Sequence, residues 1–218
     1  KKNLGIYLMS YLLVLFCLII LIFIILFIID SRRALARTQF ISLAEKLGLE
    51  KVDAPSGFLT KFPEISGKYR GHNIRIYMFT QKQGEGKSRK ITINTAIEVF
   101  VDNPIAYRLD VYEEGLLSKL NKFFGMQDVI IGKEKFDKEF IIKTNDEEIT
   151  KKILNDKICN ELLFMANKRF GFGFEFGTKK IFYDEPKFMT NKKKSEWFER
   201  VLNILVDIAE EFEKVIKK

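Results

Sequence analysis

The chain has 218 residues, of which 30% are charged and 47% hydrophobic, and a formal net charge of +8. That length allows one membrane segment and one domain, and the composition excludes a disordered chain. Two cysteines and one histidine exclude a disulfide framework and a multi-histidine metal centre.

From Leu4 to Ile29 no residue is charged. At about 1.5 Å per residue a helix of this length spans about 39 Å, more than the ~30 Å hydrocarbon core of a bilayer. Leu12 to Ile29 is almost wholly Leu, Ile, Val and Phe. A helix apolar on all sides has no face for water, so lipid is its natural solvent. The run predicts a single transmembrane anchor over residues 1–30. A cleaved secretory signal would carry a shorter apolar core and small residues at the cut. Here Asp30, Ser31, Arg32 and Arg33 follow directly. A pilin-like packing helix is the second alternative. It would want an acid near the start, where Gly5, Ile6, Tyr7 and Leu8 stand. Lys1 and Lys2 precede the run, while Arg32, Arg33 and Arg37 follow it. By the positive-inside rule this small excess puts the soluble part in the cytoplasm.

Residues 31–63 read as a helix and a connector. Leu35, Phe40, Leu43, Ala44 and Leu47 fall at helical spacing and Gly48 is a stop. Lys51 to Pro63 is the connector to a soluble α+β domain over 64–218. Strands are predicted at Gly67–Tyr69 and Asn73–Thr80 around the turn Arg70-Gly71-His72, then at Lys90–Asp102 and Tyr107–Tyr112. The polar stretch Lys82–Arg89 is a hairpin loop. Gly115–Phe124 reads as a short helix, and Val129–Ile131 and Glu139–Lys143 as short strands. Thr144 and Glu147 form a capping box for a helix running to about Asn167. Its buried stripe is Ile149, Ile153, Leu154, Ile158, Leu162 and Met165. Phe172–Phe176 and Lys180–Tyr183 make a hairpin around Gly177-Thr178. A basic loop, Asn191 to Lys194, leads to Ser195 as N-cap of the last helix. That helix buries Trp197, Val201, Leu205, Ile208, Phe212 and Val215, and turns Glu199, Asp207, Glu210 and Glu213 to water. Short turns between neighbouring strands predict a mainly antiparallel sheet with two main helices on one face.

No motif defines chemistry. Gly86-Lys87-Ser88 resembles the end of a phosphate loop, but Gln81 stands where the first glycine belongs, and a strand follows instead of a helix. The alternating Phe172, Phe174 and Phe176 fit a core stripe better than a dinucleotide or apolar-ligand surface. His72 reads as a turn residue and Cys159 as a buried structural thiol. Asp128, Glu134, Asp137 and Glu139 are carboxylates that Lys133, Lys135 and Lys138 balance, without the fixed spacing of a cation loop. Lys192–Lys194, with Lys187 nearby, read as a solvated face; a polybasic patch gains from anionic headgroups only where it reaches them. No exposed aromatics alternate with the lysines, so nucleic acid is not an expected partner. No catalytic residue, cofactor site or metal site is assigned.

Gly125-Met126-Gln127-Asp128-Val129-Ile130-Ile131-Gly132 precedes Phe136-Asp137-Lys138-Glu139-Phe140-Ile141-Ile142 and then Asn145-Asp146-Glu147. The pattern resembles uncharacterised, often membrane-anchored prokaryotic proteins with a G-x-x-D-I-x-x-G-x-x-x-F-D-x-x-F core, a domain of unknown function. This resemblance implies a shared fold and no particular activity. It departs at Lys133, where an acid is expected. Together these readings predict a non-catalytic, single-pass accessory or scaffold subunit of a membrane protein assembly. Its partners would be the bilayer and other membrane subunits, with self-association open. The alternatives are a tethered domain for lipid or a small apolar ligand, and a filament subunit.

Overall fold

A computed structural model describes residues 2–55, 61–84, 90–102, 104–113, 127–166, 171–174 and 179–217. Its first helix, α1 (Lys2–Leu47), is unbroken. At about 1.5 Å per residue it is about 69 Å long. Met9 and Leu12 to Ile29 are mostly exposed, whereas Ala36, Phe40, Leu43 and Ala44 are buried. One element therefore has two environments. Its first part is apolar all round, and its second part is amphipathic and belongs to the domain core. Gly48, at φ +66, ends it in the left-handed region open to glycine.

Nine strands among the described residues form one sheet. They are β1 (Lys51–Asp53), β2 (Glu64–Tyr69), β3 (His72–Gln83), β4 (Lys90–Phe100), β5 (Leu109–Glu113), β6 (Gln127–Asp128), β7 (Phe140–Thr144), β8 (Gly171–Phe174) and β9 (Lys180–Glu185). The spatial order is β1-β2-β3-β4-β9-β8-β5-β7-β6, and every pairing is antiparallel. The helices are α2 (Glu134–Glu139), α3 (Glu147–Ile153), α4 (Asp156–Met165) and α5 (Lys192–Ile216). The α+β class with an apolar N-terminal helix is as expected. Alternation sends Ile65, Ile76, Ile97, Tyr183, Phe172, Val111 and Ile142 to one face, where they pack with α1, α3, α4 and α5 into one core.

Several local expectations are corrected. The connector Lys51–Pro63 begins with a strand, since Lys51–Asp53 pairs with β2. The helix expected from Thr144 to Asn167 is two helices. Asn155 interrupts it by accepting from the Ile158 amide at 3.1 Å as N-cap of α4. The α3 cap is Asp146, not Thr144, and it accepts from Ile149 N at 3.0 Å. Thr144 is still held in β7 opposite Leu109, so its hydroxyl donates to Arg108 O at 2.8 Å instead. Asn191, not Ser195, caps α5 by accepting from Lys194 N at 3.0 Å, which makes the basic loop the helix's first turn. The Gly115–Phe124 helix, the Gly86-Lys87-Ser88 stretch, Phe176 and the Gly177-Thr178 turn lie outside the described residues.

Candidate functional site

Three regions gather polar chemistry. The first is the sheet face opposite the helices. Register carries a single row of side chains across all nine strands. Lys51 lies beside Ser66, Ser66 beside Arg75, Arg75 beside Glu98, and Glu98 beside Phe182. The row continues through Gly173, Asp110, Lys143 and Asp128. Arg75 grips Glu64 with two hydrogen bonds, of 2.8 and 2.7 Å, and lies 3.7 Å from Glu98. Glu98, only 3% exposed, accepts from Lys180 at 2.6 Å and from Tyr77 Oη at 3.0 Å. A buried carboxylate with two cations is a satisfied ion cluster, so this half of the row serves the fold.

The other half is built differently. Asp110 is half-buried beside the backbone of Gly173. A methyl group at Gly173 would stand 2.0 Å from Asp110 Oδ1 and 3.1 Å from Leu109 O. This overlap explains a glycine in mid-strand, where its flexibility otherwise weakens pairing. Burial pushes the Asp110 carboxyl up to about 7, and the Lys143 charge opposes that only in part. Lys143 is itself ion-paired to Asp128 at 3.2 Å. Gly173→Ala is expected to cost about 1–3 kcal/mol, the range of an overpacked site. In an Asp110→Ala background the same change is expected to lie within about 1 kcal/mol of neutral, because the clashing oxygen is gone. Urea unfolding of the parent and the three variants checks both numbers.

The second region is a cavity of about 520 Å³ between the β2–β3 turn, α4 and α5, lined in part by Arg70, Lys157, Phe164, Arg200, Asn203 and Asp207. Asp207 was expected at the surface. It is 7% exposed, because the last helix is covered by the sheet on one side and by α1, α3 and α4 on others. Arg70 reaches it at 2.6 Å and Lys157 at 2.6 Å. Arg70 also holds Glu210 with bonds of 3.1 and 2.9 Å. Arg70 has φ 49 in its turn, a left-handed backbone that costs a non-glycine residue energy, which the pairing helps to offset. Phe164, 72% exposed, lies at the mouth with the Arg200 guanidinium 5.3 Å from its ring. Arginine and exposed aromatic rings are enriched where proteins bind one another.

The third region adjoins α2. Asp137 accepts from Ile131 N at 3.0 Å and Lys133 N at 2.7 Å, so this acid shapes the loop. Lys133, the departure from the resemblance, donates to Leu154 O at 2.9 Å and pairs with Asp156 at 2.9 Å. It ties the α2 loop to the α3–α4 break. Cys159 is buried and donates to Leu154 O at 3.2 Å. Burial raises its thiol above the ordinary range despite nearby Lys133, which keeps it protonated and a poor nucleophile. Among the described residues no three His, Cys, Asp or Glu side chains group as metal ligands. His72 is 8% exposed, not a surface turn residue, with Nδ1 3.7 Å from Glu213. Phe172 is buried in the core; the side chains of Phe174 and Phe176 are outside the described residues.

These features define an α+β domain with one antiparallel sheet, helices on one face and, among the described residues, a single helix long and apolar enough to cross a membrane. No family model matches the chain, and no curated protein does. Its fold is similar to that in the crystal structure of the mycobacterial trehalose monomycolate transport factor A. The TM-score is 0.53 at 13% identity, over 82% of this chain and 94% of that chain. At this identity the likeness concerns the fold alone.

Proposed function

We propose that the chain is a single-pass membrane-anchored, non-catalytic accessory or scaffold subunit of a membrane protein assembly, with its domain on the cytoplasmic side. The observation that carries this reading is the continuity of α1. Lipid-type surface passes within about two turns into core positions Ala36 and Phe40. Cleavage after the apolar run would cut a helix that the domain needs, which favours an anchor over a removable signal. The fold is one that a transport factor also has, which fits an accessory role without assigning it. The exposed Phe164–Arg200 pair supports a protein partner.

Crosslinking mass spectrometry on gently solubilised native membranes tests this. Reproducible crosslinks from Lys135 and Lys193 to one larger membrane complex are expected. A chain that runs as an isolated monomer and crosslinks to nothing would overturn the reading.

A further inference from the structure

We propose that the end of the domain from which α1 departs is a docking surface for the anionic headgroups of the membrane that α1 crosses. This inference rests on the anchor reading and adds a second, electrostatic contact with the same bilayer.

The direction of each strand places this end. The Arg33 guanidinium lies 5.0 Å over the Phe62 ring, just ahead of β2. At the far end of β2, a side chain on Gly67 would meet Glu50 N at 3.1 Å, beyond the end of α1. So β2 runs alongside α1, away from the membrane. Its partner β3 runs back. Tyr77 stands opposite Glu64, and the strand continues to Gln83, about 20 Å further toward the membrane side. There Gln83 pairs with Lys90, where β4 begins. β9, antiparallel to β4, also ends on this side, and the Phe188 ring is 6.1 Å from that of Phe62. α5 begins four residues later.

Separate segments thus bring Lys61, Lys82, Lys90, Lys187 and Lys192–Lys194 to one end, all but Lys187 and Lys194 well exposed. Of the acids here, Glu64 is held by Arg75 and Asp184 by Asn94, while Asp53 is exposed opposite Glu64. Glu185 is buried against Lys187 at 2.5 Å, and Glu196 lies 4.0 Å from Lys192. The first turn of α5 has no acid. The opposite end holds Glu210 with Arg70 and Glu213 beside His72. Arg70, Lys157, Lys214 and Lys217 balance the acids of that end, so exposed lysines from several segments are what marks the near end. Lysines held near an anionic leaflet gain about fivefold in binding each, and salt screens the gain beyond about a Debye length.

Trp197, the one tryptophan of the chain, reports on this end, with Lys187 Nζ 5.4 Å over its ring. The full chain is placed in nanodiscs of phosphatidylcholine with or without phosphatidylglycerol, each containing a lipid with a nitroxide on its headgroup. Quenching of Trp197 is expected only with phosphatidylglycerol, and is expected to vanish at high salt. Lys192→Glu with Lys193→Glu is expected to reduce the docked population more than tenfold, and Lys61→Glu with Lys82→Glu likewise from other segments. Equal quenching in both lipids, or quenching indifferent to both pairs of reversals, would overturn the docking and leave the anchor standing. Extraction of the chain from vesicles by alkaline carbonate would overturn the anchor itself, and the docking with it.

Discussion

Asp110→Asn is expected to flatten a fall in stability between about pH 4 and pH 7, and to make the domain about 2–4 kcal/mol more stable than the parent at about pH 8. The sign follows from two protonation states. The unfolded chain releases this proton near 3.8, whereas burial keeps it on the folded chain up to about 7. Below about pH 4 both states are protonated and the group is neutral in its effect. As pH rises, the unfolded chain ionises first and gains free energy that the folded chain lacks. The loss is complete above about 7. Asparagine keeps the shape beside Gly173 and removes the titration. Denaturant unfolding of the detergent-solubilised chain, followed by Trp197 fluorescence across this range, checks it. Parallel pH profiles for parent and variant would contradict the raised Asp110 carboxyl.

Asp207→Ala is expected to destabilise the domain by about 1–3 kcal/mol, the range for hydrogen bonds to a charged group, since Asp207 is buried but its partners Lys157 and Arg70 reach solvent. The change leaves Lys157 and one contact of Arg70 without their acceptor, and loosens the tie between the β2–β3 turn, α4 and α5. Burial opposes ionisation of Asp207, but hydrogen bonds from Lys157 and Arg70 outweigh it and hold the carboxyl below its ordinary value. This contribution is therefore present above about pH 4 and is lost as pH falls through the lowered folded value. The parent is expected to lose stability in acid more steeply than the variant. Asp110 and Asp207 thus act in opposite senses, one weakening the fold toward alkaline pH and one toward acid. Urea titration at neutral and acid pH separates them.

The apolar helix, the Arg70-Gly71 turn, the long β3–β4 hairpin and the stripe of the last helix were all legible from periodicity and turn chemistry. Those signals are local, and the structure obeys them. The missed features depend on distant neighbours. Asp207 reads as a water-facing acid until Arg70, far away in sequence, arrives beside it. The break at Asn155 is hidden because Ile153, Leu154 and Ile158 keep a nearly helical spacing across it. Thr144 has the spacing of a capping box, but pairing with Leu109 holds it in a strand and hands the cap to Asp146. Lys133 looks like a departure from a pattern, yet it bonds a carbonyl from an element not adjacent in the chain. The basic end of the domain was legible only as scattered lysines, since strand direction is what assembles them.

The unbroken α1 also makes the domain a body mounted on a shaft. About 26 Å of helix extends past Asp30 into the core, without a hinge between the apolar part and Phe40. A change in tilt of about 10°, well inside the range that spanning helices adopt, swings the far end by about 5 Å. A turn of the helix about its own axis carries the sheet through the same angle. Bilayer thickness, or the grip of a neighbouring helix, would thereby set the posture of every face that the domain presents.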